Sequence, residues 1–207
     1  MSSASRVAAT VAGNPVLATD IDEREARVRS GNLASALPNR HTSEGRQLRR
    51  WVTQLIVAER VVEVEAHTRG LTGAGAPSED QVLPDTPARL EIGSVAASTL
   101  AQPLARAVFA HVTADVEVGE DEVVAYHLRN PLRFAARSVA GEHGWLLPSA
   151  EPALSEVREI VTAHLVGAAR LRVFRHWLDS RCAALVQLAP GFEHPGDPRQ
   201  PDNTHRH

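Results

Sequence analysis

The chain has 207 residues, of which 43% are hydrophobic and 23% are charged, enough for one domain with a sizeable core. Its net charge of -3 argues against a general nucleic-acid binder, because attraction to phosphate needs an excess of positive charge. The basic side chains are all arginine, which excludes a lysine that forms a Schiff base.

Two further features bear on the cellular compartment. Residues 1–18 lack the basic segment and apolar run of a signal peptide, and they contain no span long enough for a bilayer. We therefore expect a cytoplasmic protein without membrane contact. The single cysteine, Cys182, has no partner for an internal disulfide, and its helical position favours a packed thiol over a reactive one.

The N-terminal region predicts a small hairpin followed by a short helix. Val7–Val11 and residues 15–17 have the composition of strands around a turn pair, Gly13 and Asn14. Thr19 is a predicted N-cap, with Asp22 completing a capping box, and the helix should end near Gly31.

The middle of the chain predicts longer helices. From Thr42 or Ser43 to a stop at Gly70, apolar residues recur at three- and four-residue steps, which indicates a core helix roughly 40 Å long. Residues 72–87 are rich in glycine, proline and acids, which is typical of a solvated connector. Residues 95–112 are helical in pattern, and Pro103 predicts a kink or two consecutive helices there.

The last third of the chain predicts two helices and a strand. Three acids, 120–122, are interpreted as capping charges at a helix start rather than as catalytic groups, and Pro131 ends that helix. A long helix should run from about Pro152 to about Ala184, with Gly167 marking close packing. Residues 185–188 are a predicted strand that pairs with the hairpin.

Three passages resemble SurA-like chaperones of the parvulin family of peptidyl-prolyl isomerases. The first is the hairpin and its helix, Val11 to Asp22, which is similar to the family's "V-N-G-x-x-I, then T-x-x-x-L" entrance. The second is Val116 to Phe134, which resembles the helix and "N-P-x-x-F" run that lead into the family's catalytic domain. The third is the closing helix and strand. The resemblance implies a mainly α fold: a long-helix bundle over residues 1–188 with a small β-sheet from the N-terminal hairpin and a C-terminal strand.

The same resemblance shows where the chain departs from that family. The isomerase domain would follow Phe134, but here only a connector, residues 135–148, precedes the closing helix. Such a stretch is too short for a four-stranded sheet with helices, so no isomerase active-site residue is carried over. Within the connector, His143 is interpreted as a solvated loop residue, with a place in a cleft beside Trp145 as the alternative.

The C-terminal segment, residues 189–207, carries imidazoles and carboxylates between prolines. Proline prevents it from continuing the helix, so the segment has to run over the surface, with Phe192 as an apolar anchor near Trp177. Its side chains are suited to zinc, iron, copper or nickel, and the alternative is a solvated tail. The candidate metal ligands are Glu193, His194, Asp197, Asp202, His205 and His207.

Two functions remain open at this point. The first is a chaperone-like module that binds a polypeptide segment or partner protein without prolyl isomerase activity. The second is a small metal-dependent enzyme, with secondary metabolism as a candidate setting, that acts on a small-molecule substrate through the C-terminal segment. The sequence identifies no catalytic residue and no site for an organic cofactor, and neither hypothesis includes a nucleic acid as a partner.

Overall fold

The computed structural model describes residues 6–32, 34–135, 137–139, 146–148 and 151–195. The chain divides into two compact units. Unit 1 comprises Met1–Val112 and Phe174–His207, and unit 2 comprises Thr113–Val173. The predicted class is confirmed: the fold is mainly α with a small antiparallel sheet. Within the described ranges, no helix is long and apolar enough to cross a lipid bilayer.

Unit 1 contains a three-stranded antiparallel sheet with β1 (Val7–Val11) in the centre. Its neighbours are β2 (Asn14–Leu17) and β5 (Val186–Leu188). The predicted pairing of the C-terminal strand with the hairpin is thus confirmed. The turn pair is Ala12 and Gly13, one position earlier than predicted, since both have positive φ, 49° and 81°, as a type I′ turn requires.

Helix α1 (Ala18–Arg29) begins directly after β2, so the predicted N-cap at Thr19 is wrong. The reason is a nearer carboxylate: the Leu17 N–H donates to Asp20 Oδ2 at 2.9 Å, which satisfies a backbone donor at the helix start. A short 3₁₀ turn, Ala34–Ala36, lies between α1 and the next helix.

The long central helix is confirmed at both ends. Helix α2 (Ser43–Arg69) begins after Thr42, whose side chain accepts the Gly45 N–H at 3.1 Å. It ends at Gly70, which has a φ of 63° and therefore the left-handed geometry that glycine adopts readily. Buried α2 side chains such as Val52 and Val61 are fully enclosed, so this helix forms the centre of the unit 1 core.

The connector of residues 72–87 is more structured than predicted. It contains helix α3 (Glu79–Val82) and the start of α4 (Thr86–Ile92). Val82 and Leu83 are buried, so the expectation that this stretch need not bury anything is wrong: these two apolar side chains join the core.

Two short helices follow, α5 (Ser94–Thr99) and α6 (Pro103–Val112). The prediction of two consecutive helices at Pro103 is confirmed, because proline occupies a first helical position, where its missing N–H costs nothing. The ring of Phe109 on α6 meets Phe174 edge-on, with centroids 5.5 Å apart, which adds an aromatic contact to the core.

Unit 2 contains helix α7 (Glu120–Arg129), strands β3 (Arg137–Val139) and β4 (Leu146–Pro148), and the first part of α8 (Leu154–Leu185). The strands pair with each other and were not predicted. Of the acids at the start of α7, Glu122 acts as a cap, as expected, because it accepts the Gly119 N–H. Glu120 instead forms an ion pair with Arg158.

The unit 2 core is a small apolar cluster centred on Val123, Val157 and Val161. Tyr126 lies at its edge and shares a 3.0 Å hydrogen bond with His164 Nε2. The expected close packing at Gly167 is wrong, because a Cβ placed there has no neighbour within 4 Å.

Candidate polypeptide-binding groove

A groove of about 630 Å³ lies in unit 1 between the N-terminal hairpin and the C-terminal half of α2. One wall is the hairpin, and the other is a single helical face, since the α2 residues fall at three- and four-residue steps. The lining residues are Val11, Ala12, Asn14, Pro15, Val16, Arg60, Glu63, Val64, His67 and Thr68.

The type I′ turn and the alternation of the strands place the hairpin wall. Val11 and Val16 are each 2% exposed and form the floor, while Ala12 and Pro15 are exposed above it. Val64 on α2 is half-buried and contributes an apolar side chain opposite the hairpin. The groove therefore has an apolar base that continues the core to the surface.

The rim of the groove is polar. Arg60 Nη1 pairs with Glu63 Oε2 at 2.9 Å, and both side chains are about half exposed. His67 is exposed beside them, and the Thr68 hydroxyl donates to the Val64 carbonyl at 2.7 Å. Since that hydroxyl is already used within the helix and the charged pair is solvated, this arrangement suits binding better than acid–base or nucleophilic chemistry.

The edge of β2 that borders the groove is closed to strand addition. In a two-residue hairpin the flanking residues form the hydrogen-bonded pair, here Val11 and Asn14. Pro15 and Leu17 then face outward along the edge. Proline has no N–H, and the Leu17 N–H already donates to Asp20, so an incoming strand finds neither donor.

The predicted metal ligands are only partly described. Glu193 accepts the Gly191 N–H at 2.8 Å in a local turn, and His194 lines a second cleft of about 400 Å³ that also includes Asp179 and Cys182. Among the described residues, no group of three or more His, Cys, Asp or Glu side chains is placed to hold a metal ion. The other candidates, Asp197, Asp202, His205 and His207, lie outside the described residues, as does His143.

Cys182 is half-buried on α8. Burial, and then the negative charge of Asp179, raise the pKa of its thiol to about 11. Because the thiolate is the reactive form, the side chain is held as a protonated thiol at neutral pH. This supports the interpretation of a packed, unreactive cysteine.

Phe192 anchors the C-terminal segment, as expected, and is 5% exposed. The guanidinium groups of Arg6 and Arg49 lie 5.2 and 5.8 Å from the centre of its ring, within the range of cation–π contacts. Trp177, the neighbour expected from the sequence, stacks on Phe174 instead, with centroids 5.4 Å apart.

Sequence reasoning did not identify the groove. Its two walls are about 50 positions apart, and its residue types are ordinary for a solvated surface. The available signal was the small apolar Val64 among the polar side chains of α2, which periodicity alone assigns to the edge of a core helix.

A family of unknown function (DUF7158) matches residues 7–44. The matched region includes the hairpin wall of the groove and α1, and it ends at the first turn of α2. No curated protein and no solved structure matches the chain.

Proposed function

We propose that this protein is a chaperone-like module that binds polypeptide segments without isomerising prolyl bonds. The observation that carries the proposal is the open groove between the hairpin and α2, with its apolar floor and charged rim. Most of its lining residues are exposed, namely Ala12, Asn14, Pro15, Arg60, Glu63, His67 and Thr68. A site that encloses a small molecule buries most of the ligand surface, whereas this shape suits a segment lying along the surface.

The occupant is an amphipathic helix. Because Pro15 and the bond between Leu17 and Asp20 close the edge of β2, an extended strand gains no ladder there. A helix satisfies its own backbone and needs only a groove for its apolar face. The paired charges of Arg60 and Glu63 along one rim complement a helix that carries an acid and a base one turn apart.

The resemblance to SurA-like chaperones supports the same class of function. It implies a helical scaffold that holds polypeptide, and the short connector of residues 135–148 leaves no room for the family's isomerase domain. The cytoplasmic location, and a polypeptide rather than a nucleic acid as the partner, stay predictions from the sequence.

A matched pair of variants tests the groove. Val64→Glu places a charge on the groove wall, and Val173→Glu makes the same change at a 40% exposed position on α8. The probe is a fluorescein-labelled amphipathic helical peptide of leucine, glutamate and lysine, and the readout is fluorescence anisotropy. We expect the parent and Val173→Glu proteins to bind alike and Val64→Glu to bind at least about tenfold more weakly, since the peptide's apolar face would meet a desolvated charge.

Two outcomes contradict the proposal. One is equal affinity of all three proteins for the peptide, and the other is no binding by the parent protein. Circular dichroism of each variant establishes that the helical fold is intact before the affinities are compared.

A second candidate function is a small metal-dependent enzyme. The observation that favours it is the position of His194 in the second cleft. The remaining ligands would come from the C-terminal segment, because no group of three such side chains among the described residues is placed to hold a metal ion. Zinc, iron, copper and nickel suit such donors. Elemental analysis of untagged protein purified without added metal tests this candidate, together with a variant that carries His205→Ala and His207→Ala. Equal metal content in variant and parent shows that these two histidines are not the ligands.

A further inference from the structure

The two edges of the three-stranded sheet differ in their free backbone groups. The Ala12 N–H donates to the Leu185 carbonyl, and the Ala189 N–H donates to the Ala8 carbonyl, both at 2.9 Å. Along an antiparallel ladder, hydrogen-bonded pairs alternate with non-bonded pairs. Gln187, which lies opposite Thr10, therefore bonds toward β1 as well.

It follows that Val186 and Leu188 direct their N–H and C=O groups away from β1. In the described part of the chain, no strand pairs with this side of β5. Both residues carry an N–H, whereas the β2 edge has a proline and an occupied donor at the corresponding outward positions. Among the residues that the structure describes, the sheet is thus closed to strand addition at β2 and open at β5.

We infer that the outer edge of β5 captures an extended polypeptide segment by strand addition. The spacing of the outward donors and acceptors at Val186 and Leu188 matches the backbone of a β-strand, and it is independent of side-chain sequence. This surface is distinct from the groove, so it holds whether or not the groove binds a helix. Gln187 between the two is exposed, and Val186 and Leu188 are half-buried.

The extent of the edge decides between an extended segment and a second copy of this chain. β5 has 3 residues and spans roughly 10 Å. Pairing β5 with β5 of a second copy would bury only the surface of these residues. That area is far smaller than the roughly 1,000 Å² that a stable interface needs. An unfolded segment can continue past the edge over neighbouring surface, and weak, reversible capture suits a chain that must later be released.

The test compares Leu188→Pro with Leu188→Ala. Both remove the leucine side chain, but only proline removes the outward N–H, and an edge strand tolerates proline where the N–H faces solvent. The probe is a short fluorescent peptide of alternating threonine and valine, measured by anisotropy. We expect Leu188→Ala to bind within about threefold of the parent and Leu188→Pro to bind at least about tenfold more weakly.

A second measurement keeps the inference testable even where Leu188→Pro does not fold. The same peptide with an N-methyl group on every residue has no N–H to pair along either edge, so the parent protein should bind it at least about tenfold more weakly. Equal affinity for methylated and unmethylated peptides, or for the two Leu188 variants, overturns the inference. Concentration-dependent dimerisation in light scattering that Leu188→Pro abolishes assigns the edge to a second copy and overturns it too.

Discussion

Substitution of Gly45 by alanine provides a sharp test of how α2 begins. A Cβ at this position would lie 2.0 Å from the Asn39 carbonyl oxygen and 2.9 Å from Arg40 Cα. These are backbone atoms, so no side chain can move aside, and the turn that precedes the helix must shift. That turn carries the N-cap of α2, because Thr42 both accepts the Gly45 N–H and donates to Asn39 O.

The size of the effect follows from the bonds at stake. Loss of the Thr42 cap costs about 1 kcal/mol, and the two hydrogen bonds that Asn39 O accepts from Thr42 contribute about 1 kcal/mol each. Alanine has a higher helix propensity than glycine, which returns about 1 kcal/mol. The Gly45→Ala variant should therefore be about 2 kcal/mol less stable than the parent.

The matched control is Gly167→Ala within α8, where an added Cβ meets nothing within 4 Å. Helix propensity alone then acts, and this variant should gain up to about 1 kcal/mol. Urea denaturation followed by far-ultraviolet circular dichroism measures the free energy of unfolding of both variants. A Gly45→Ala protein as stable as the parent would refute the argument, since the turn would then adapt without cost.

Three other results are expected. At pH 8 the Cys182 thiol, with a pKa of about 11, should react with a disulfide reagent about a hundredfold more slowly than a thiol of pKa near 9, and the rate should rise with pH; a pH-independent rate counts against this. Glu25→Gln should cost about 2 kcal/mol in urea denaturation, because the buried Glu25 carboxylate loses its charge-assisted hydrogen bond from Arg29, whose side chain is 17% exposed. Glu63→Gln, at an exposed ion pair, should change stability by less than about 0.5 kcal/mol. The arginines paired with Glu25 are Arg29, Arg40 and Arg49. A proline-peptide assay should show no turnover above background. Turnover by pure protein would contradict the prediction that the connector of residues 135–148 is too short for an isomerase domain.

The parts of the fold that local chemistry controls were predictable. Helix α2 has a threonine cap, an apolar stripe and a glycine stop, and each acts within a few residues. The turn was misplaced by one residue because Ala12 adopts a positive φ, which propensity disfavours. The start of α1 was misplaced because Asp20 reaches a donor nearer than the one expected for Thr19.

The candidate site was not predictable in the same way. The groove forms where two segments distant in sequence meet. The sequence pattern of a strand or of a helix face does not show which other surface it will lie against. Which residues of β5 direct their N–H and C=O groups outward depends on which residue pairs are hydrogen-bonded to β1. This alternation is set by the strand register and not by residue type. The sequence contained Pro15 and Asp20, but their shared effect on one edge becomes visible only once β2 is paired.

The central position of β1 also affects how the sheet forms during synthesis of the chain. Its pairing with β2 can form as soon as residue 17 is free, but Val11 and its partner Val186 are about 175 positions apart. At typical synthesis rates this separation takes roughly 9–35 s. Throughout that interval the backbone groups of Ala8 and Thr10 that bond to β5 have no strand to pair with. A nascent chain should therefore need shielding by the ribosome or a folding helper until β5 emerges.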